Sequence, residues 1–167
     1  MSIQVDGNLI SDINETEIKE QCDIIKEKNI TSIVVNGVFS PIDGTHQQEE
    51  RAAQIIRKAL PGCHIVLSKE VANLGFLERE NAAILNASIL PFARKTIRSF
   101  QEPIKRLGLK CPVFLSQNDG TILSGEMASK LPIRTFSSGP TNSMRGAAYL
   151  AQGENKEAMM VVDIGER

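Results

Sequence analysis

Three short polar clusters in the last third of the chain could contribute to a binding site, because each follows an apolar stretch typical of a strand. They are Asn118-Asp119-Gly120, Ser138-Gly139 and Asp163-Ile164-Gly165. In α/β proteins, ligands bind at the carboxyl ends of strands and in the loops that follow them. The three clusters therefore predict one site built from three strand ends.

Ser138 and Gly139 lie just before a helix that the apolar spacing predicts over residues 142–152. The free N–H groups at the start of a helix, together with the positive end of its dipole, can bind an anion such as a phosphate. The same small and hydroxyl residues, followed by Pro140, are equally typical of a capped helix that binds nothing. From these residues alone both interpretations stay open.

No residue stands out as a catalytic nucleophile, since the chain lacks the Walker A, dinucleotide-binding, G-x-S-x-G and H-E-x-x-H motifs. His46 lies in a predicted strand-to-helix loop, where a solvated cap is a more common role than a ligand contact, and His64 is a weaker candidate. Cys22, Cys63 and Cys111 show no C-x-x-C spacing. They are interpreted as reduced thiols rather than as disulfides or zinc ligands.

The composition is that of an ordinary globular domain. Of the 167 residues, 41% are hydrophobic and 23% charged, and the formal net charge is -1. This balance, with aromatic residues at 4% and no tryptophan, argues against nucleic acid as a partner. No apolar run approaches the roughly 20 residues that span a bilayer, and no leader pattern precedes the first element. We therefore expect a cytoplasmic protein that does not enter the membrane.

The elements that would position the clusters alternate between strands and helices. A hairpin is predicted over 3–10, with Asp6-Gly7 at its turn, and Asn14 is predicted to cap the first helix. A strand over 31–36, a helix from Gly44 or Thr45 to Leu60 and a strand over 64–68 then predict a parallel crossover.

The second half predicts two helices, 77–89 and 92–108, which separate at Pro91 because proline disrupts a helix interior. The stretch Glu78-Arg79-Glu80-Asn81 is predicted to be a charged first turn. Strands follow over 113–116, 132–136 and 159–164, and Ser124 is predicted to cap a short helix. The fold class predicted from this order is α/β, with a mostly parallel sheet flanked by helices.

Five segments taken together resemble the hydantoinase A and 5-oxoprolinase family. They cover nearly the whole chain in the expected order, and the series is more specific than any one member. The segments are Asn36-Gly37-Val38-Phe39-Ser40-Pro41 with His46, Glu78 to Ala87 ending at Pro91, Ser116 to Gly120, Ser138-Gly139-Pro140 through Gly146-Ala147, and Val162 to Gly165.

The resemblance implies a fold like that of the actin-like ATPases, of the ribonuclease H-like type. It implies an ATP-dependent hydrolase that opens small cyclic amides such as hydantoin or 5-oxoproline, with ATP and Mg²⁺ as cofactors. Such phosphoryl transfer depends on positioning and charge neutralisation more than on a protein nucleophile. By the same resemblance, residues 1–75 match the rear of the family's N-terminal domain and residues 76–167 the start of its ATPase-like domain.

Carried over residue by residue, the resemblance implies a cofactor site and a metal ligand. Asp163 and Gly165 match the start of an Asp-x-Gly-Gly-Thr phosphate turn, in which Asp163 would hold Mg²⁺. Glu166 and Arg167 stand where that turn has glycine and threonine. Asn118, Asp119 and Gly120, with Ser138 and Gly139, complete the implied cofactor-binding set.

Because the phosphate turn is interrupted, the chain is interpreted as an internal, truncated piece of the family that is inactive by itself. One alternative is a non-catalytic interaction module that pairs with a full-length relative as a homo- or hetero-oligomer. The other is an unrelated small α/β domain that binds phosphate.

Overall fold

The computed structural model describes residues 2–73, 75–151 and 160–165. The chain divides into two units, one ending at Pro91 and the other beginning at Phe92, so that one long helix contributes to both. The elements of the first unit are β1 (Ser2–Ile3), β2 (Leu9–Ser11), α1 (Glu15–Glu27), β3 (Ser32–Val35), a 3₁₀ turn (Ser40–Ile42), α2 (Gln48–Ala59), β4 (His64–Leu67), α3 (Ser68–Val71) and the start of α4 (Phe76–Arg106). Those of the second unit are the remainder of α4, β5 (Phe114–Ser116), β6 (Ile122–Ser124), α5 (Gly125–Ala128), a 3₁₀ turn (Pro132–Thr135) and α6 (Ser138–Ala151).

The core of the first unit lies between the β3–β4 pair and the helices α1 and α2. β3 and β4 pair in parallel, with Val35 opposite Leu67, and α2 connects them as the sequence predicts. Both of these side chains are buried, together with Cys22, Ala52, Ala53, Ile56 and Leu60. The unit is therefore held together by one apolar layer beneath a small parallel sheet.

Local capping follows the predicted pattern. The side chain of Asn14 accepts hydrogen bonds from the amides of Thr16 and Glu17 at 3.1 and 3.4 Å, which satisfies free donors at the start of α1. Ser124 accepts from the amide of Met127 at 3.2 Å at the start of α5. These caps and the β1–β2 hairpin confirm the corresponding predictions.

The α/β class is confirmed, whereas the mostly parallel sheet is not what the described residues form. Their strands make three two-stranded sheets, of which β3–β4 is parallel and β1–β2 and β5–β6 are antiparallel. The predicted division into domains at residues 75 and 76 stays a prediction.

The prediction of two helices separated at Pro91 is wrong, because α4 runs through Pro91 and Pro103 for 31 residues. A proline inside a helix removes one N–H donor and strains the preceding turn, but a helix can continue past it when packing favours the continuation. Here Leu90 and Ile97, on either side of Pro91 in the sequence, are both buried. Their burial favours the continuous helix.

Two predicted strands are also absent from the described residues. Residues 132–135 form a 3₁₀ turn instead, because Pro132 starts the turn and the hydroxyl of Thr135 donates to the carbonyl of Pro132 at 2.8 Å. Residues 160–165 belong to no helix or strand, and the side chains of Val162 and Ile164 are 70% and 92% exposed. Residue 159, where that strand was predicted to begin, lies outside the described residues.

None of the helices in the described part of the chain combines the length and the apolar character that crossing a membrane requires.

Candidate functional site

The turn between β5 and β6 holds Asn118, Asp119 and Gly120 in a tight, hydrogen-bonded conformation. The carboxylate of Asp119 accepts from the amide and the hydroxyl of Thr121 at 2.8 and 2.7 Å. Those two donors, the amide first, lower the pKa of Asp119 below its usual value. Gly120 has φ +81°, a left-handed conformation that favours glycine. The Asn-Asp-Gly signal in the sequence therefore reflects a real backbone requirement.

The amino end of α6 packs against this turn. The Thr141 hydroxyl donates to the carbonyl of Asn118 at 2.9 Å, and the Arg145 guanidinium donates to the carbonyl of Gly120 at 2.6 Å. A Cβ added to Gly120 would lie 2.5 Å from the Cδ of Arg145, so a side chain there would also displace the Arg145 side chain from the turn. The fold thus brings two of the three predicted clusters together, since Ser138 and Gly139 form the first turn of α6.

The first turn of α6 offers donors suited to an anion. The amides of Ser138 and Gly139 precede the first possible intrahelical bond, and no described residue accepts from them. Gly139 is exposed, and a Cβ built on it would have no neighbour within 4 Å. The helix begins at Ser138, earlier than the predicted residue 142, which places both residues inside the helix dipole rather than before it.

Asp163 and Gly165 are exposed and lie outside any helix or strand. The described residues contain no group of three or more His, Cys, Asp and Glu side chains that could hold a metal ion. Mg²⁺ is commonly held by one or two carboxylates together with phosphate oxygens and water. The free amides at the start of α6 fit a phosphate group, whereas the role of Asp163 as a metal ligand stays a prediction.

The buried polar centre of the first unit is a network that the sequence did not lead us to expect. It is formed by Glu49 on α2, Ser68 at the start of α3 and Arg79 on α4, with side chains that are 1%, 0% and 1% exposed. Glu49 accepts from the Ser68 hydroxyl at 2.6 Å, from the Gly37 amide at 2.9 Å and from the Lys69 amide at 3.3 Å.

Arg79 completes the network from the other side. Its Nε donates to the Ser68 oxygen at 2.9 Å, and its Nη atoms donate to the carbonyls of Asn73 at 3.1 Å, Val38 at 3.0 Å and Gly37. The Ser68 hydroxyl therefore bridges the Glu49 carboxylate and the Arg79 guanidinium, which form no direct ion pair. The arrangement resembles an activated hydroxyl, but Ser68 is wholly buried, so its hydroxyl is not exposed to a substrate in this structure.

The prediction of a charged first turn is therefore wrong for Arg79, although Glu78 and Asn81 are exposed. A signal was present in the sequence. Arg79 lies on one helical face with four buried residues, and successive members of this set are four, three, one and three residues apart. They are Ala83, Asn86, Ala87 and Leu90.

Gly37 lies at the centre of this network and has no room for a side chain. A Cβ there would lie 2.3 Å from the Oγ of Ser40, which itself donates to the Gly37 carbonyl at 2.9 Å. The Asn36-to-Pro41 segment is thus a backbone loop shaped to accept Arg79.

His46, Cys22 and Cys63 make structural contacts, and Cys111 is an exposed free thiol. The backbone amide of His46 donates to Asp43 at 2.8 Å, in the loop before α2. Cys22 is a buried free thiol whose pKa is raised, chiefly by burial, and the Cys63 thiol donates to the carbonyl of Ile30 at 3.3 Å.

Comparison with known proteins agrees with the resemblance. The sequence model described as hydantoinase/oxoprolinase matches residues 79–166, and that of the hydantoinase/oxoprolinase N-terminal region matches residues 1–60. An uncharacterized protein of Methanocaldococcus jannaschii is 25% identical over 98% of this chain, and the caprolactamase subunit alpha of Pseudomonas jessenii is 24% identical over 96% of it. This chain covers 24% and 23% of the length of these relatives.

The fold is also that of part of a solved enzyme. The crystal structure of the ATP-dependent caprolactamase from Pseudomonas jessenii superposes with a TM-score of 0.80 at 23% identity, over 93% of this chain and 22% of that one. The matches rule out the unrelated phosphate-binding domain that the sequence had left open. The chain belongs to the hydantoinase/oxoprolinase family.

Proposed function

We propose that this chain contributes to the ATP-dependent opening of a small cyclic amide, such as hydantoin, 5-oxoproline or a lactam. Membership of the family and similarity to the caprolactamase subunit alpha support this assignment. We also propose that the complete assembly has the actin-like ATPase fold and works in the cytoplasm, where the three free cysteines would stay reduced.

The observation that carries the proposal is the docking of α6 on the turn that contains Asn118 and Gly120. Thr141 and Arg145 hold the turn and the helix together, so that the amides of Ser138 and Gly139 keep a fixed direction. These amides would bind and orient a phosphate group of the nucleotide. When bound, ATP supplies the phosphoryl group that activates a ring carbonyl for attack by water.

Gly139 offers a direct test of phosphate binding. We expect Gly139→Asp to weaken the binding of Mg²⁺-ATP about tenfold, because a carboxylate within several ångström of a phosphate costs about 1–2 kcal/mol at a protein surface. Isothermal titration calorimetry on the purified chain measures this change. An acidic residue in the first turn suits the helix dipole, so the variant should fold normally.

Gly139→Ala is the matched control, since a methyl group there meets no neighbour. It should bind Mg²⁺-ATP like the original chain. Equal affinity of the aspartate and alanine variants, or no binding of millimolar nucleotide by the original chain, would contradict the proposed phosphate site.

Turnover is a separate question, and we expect none from this chain by itself. Asp163 is exposed, and the described residues contain no group of three or more His, Cys, Asp or Glu side chains that could hold a metal ion, so these residues do not supply a complete charge-neutralising site. Purified chain with Mg²⁺-ATP and hydantoin, 5-oxoproline or caprolactam should release phosphate at the rate of the buffer control. ATP-dependent ring opening, detected by chromatography of the amino acid product, would overturn this expectation.

A non-catalytic role as an interaction module is the second candidate. It is favoured because β3 pairs with β4 alone among the described strands and so has an open edge for another chain.

A further inference from the structure

β3 has a free edge along the side that faces away from β4. The amide of His64 donates to the carbonyl of Thr31 at 2.7 Å, which shows that the odd-numbered residues of this segment direct their backbone groups to β4. The N–H and C=O groups of Ser32 and Val34 therefore point to the opposite edge. No described residue bonds to them there.

A groove of about 440 Å³ runs beside this edge, between β3 and the first turns of α4. Ser32 and Val34 of β3 and Asn36 just after it line one side, and Glu80, Ile84, Ala87 and Ser88 line the other from the helix. Ile84 is 50% exposed, although it faces this groove. The groove thus leaves room for additional chain between β3 and α4.

Asn36 gives the groove an unmet chemical requirement. Both its side-chain oxygen and its side-chain nitrogen are buried, and neither has a hydrogen-bond partner among the described residues. Buried polar groups in native proteins are nearly always hydrogen-bonded, because an unpaired one loses its interaction with water. Because both atoms are buried, a segment that enters this groove would pair with them only after the Asn36 side chain turns toward it, and the segment would then offer both a donor and an acceptor.

We propose that the free edge of β3 binds an extended segment of a hydantoinase/oxoprolinase family polypeptide, taken from outside the region that this chain matches, which adds a strand to β3 and hydrogen-bonds the Asn36 side chain. Strand addition uses the backbone for affinity and alternate side chains for specificity. The segment would place apolar side chains against Val34, Ile84 and Ala87. It would carry a neutral or basic residue opposite Glu80, because Glu80 forms no ion pair with any described residue.

The sheet itself favours this occupant over a small molecule. Parallel strands occur almost always in larger sheets that are covered on both faces, and two strands of four residues are too few for such a sheet. The matched relatives are about four times as long as the aligned region, so family polypeptides contain many further segments that could complete it.

The binding test uses overlapping 15-residue peptides that tile the Pseudomonas jessenii caprolactamase subunit alpha outside its aligned region. We expect one short stretch of these peptides to bind the fluorescently labelled chain and to slow hydrogen exchange of the Ser32 and Val34 amides. Ser32→Pro should weaken that binding about tenfold, because it removes one edge donor. Ser32→Ala keeps the donor and should bind like the original chain.

Asn36→Leu tests the contribution of the buried Asn36 amide separately from that of the strand edge. Leucine has a similar size and needs no partner, so the variant should melt about 3 °C higher than the original chain while binding the peptide more weakly. A lower melting temperature would show that Asn36 is already satisfied, and would overturn the proposal.

The remaining outcomes are equally decisive. Binding by no peptide, or equal binding by the proline and alanine variants at Ser32, overturns the proposal. Self-association of the chain that Ser32→Pro abolishes, measured by sedimentation, would assign the edge to a second copy instead. No nucleotide is used, so failure here leaves the phosphate site at α6 untouched, and failure of ATP binding leaves this inference untouched.

Discussion

Replacing Arg79 with methionine should lower the free energy of unfolding by about 3–5 kcal/mol, the usual cost of removing one partner from a buried charged network. Methionine fills a similar volume but donates no hydrogen bond. The oxygens of Ser68, Asn73, Gly37 and Val38 would each lose a donor. The carboxylate of Glu49 would then stay buried without the compensating positive charge.

Urea denaturation followed by circular dichroism measures this loss, and Arg98→Met is the matched control. Arg98 lies on the same helix but is exposed, so its replacement should change the free energy of unfolding by less than about 0.5 kcal/mol. Arg79→Lys should recover little, since an ammonium group cannot reproduce the fork that reaches four acceptors. A loss below 1 kcal/mol for Arg79→Met, by the same scale, would show that the network contributes little to stability.

The second large effect is expected at Asp43, which organises the loop before α2. Its carboxylate accepts from the amide of His46 at 2.8 Å and from the amide of Gln48 at 2.8 Å, and Asp43 is buried. Asp43→Ala should lower the free energy of unfolding by about 1–2 kcal/mol at neutral pH, as the loss of a helix cap does. Asp43→Asn keeps one acceptor oxygen and should recover part of the loss.

The effect should depend on pH in a defined direction. Burial raises the pKa of Asp43, but donation by the amides of Gln48, His46 and Gln47 outweighs it, so the net pKa lies below its ordinary value of 3.8. A depressed pKa stabilises the folded chain above the ordinary value, and the contribution is lost as the pH falls through the folded value. The stability difference between the original chain and Asp43→Ala should therefore shrink in acid, and a constant difference down to the acid limit would contradict this account.

Features that depend on neighbouring residues could be predicted from the sequence. The Asn14 and Ser124 caps, the β1–β2 hairpin and the Asn118-to-Gly120 turn all follow from side chains that bond to nearby backbone groups. The parallel crossover from β3 to β4 also follows, because apolar periodicity marks which faces are buried. Family membership rested on five such local segments, and the comparisons confirm it.

The failures at Pro91 and at residues 160–165 have one physical cause, which is that the presence or absence of packing partners distant in sequence decided the outcome, whereas Pro132 and Thr135 form the 3₁₀ turn locally. Pro91 was predicted to end a helix, and buried neighbours on both sides kept α4 continuous. Residues 132–135 and 160–165 have strand-like composition, yet no described strand pairs with them. Strand propensity reflects how well a side chain fits the half-buried surface of a sheet. It does not produce a strand where no such surface is available.

Two of the three clusters and Arg79 show the same division between sequence and structure. The sequence by itself determined that Asn118, Gly120, Ser138 and Gly139 have the residue types of a turn and a helix start. Only the tertiary structure decided that Thr141 and Arg145 join these two elements. It also decided that Arg79, drawn from a charged stretch, is buried, because Glu49, Ser68 and the loop at Gly37 surround it with acceptors that no local pattern reveals.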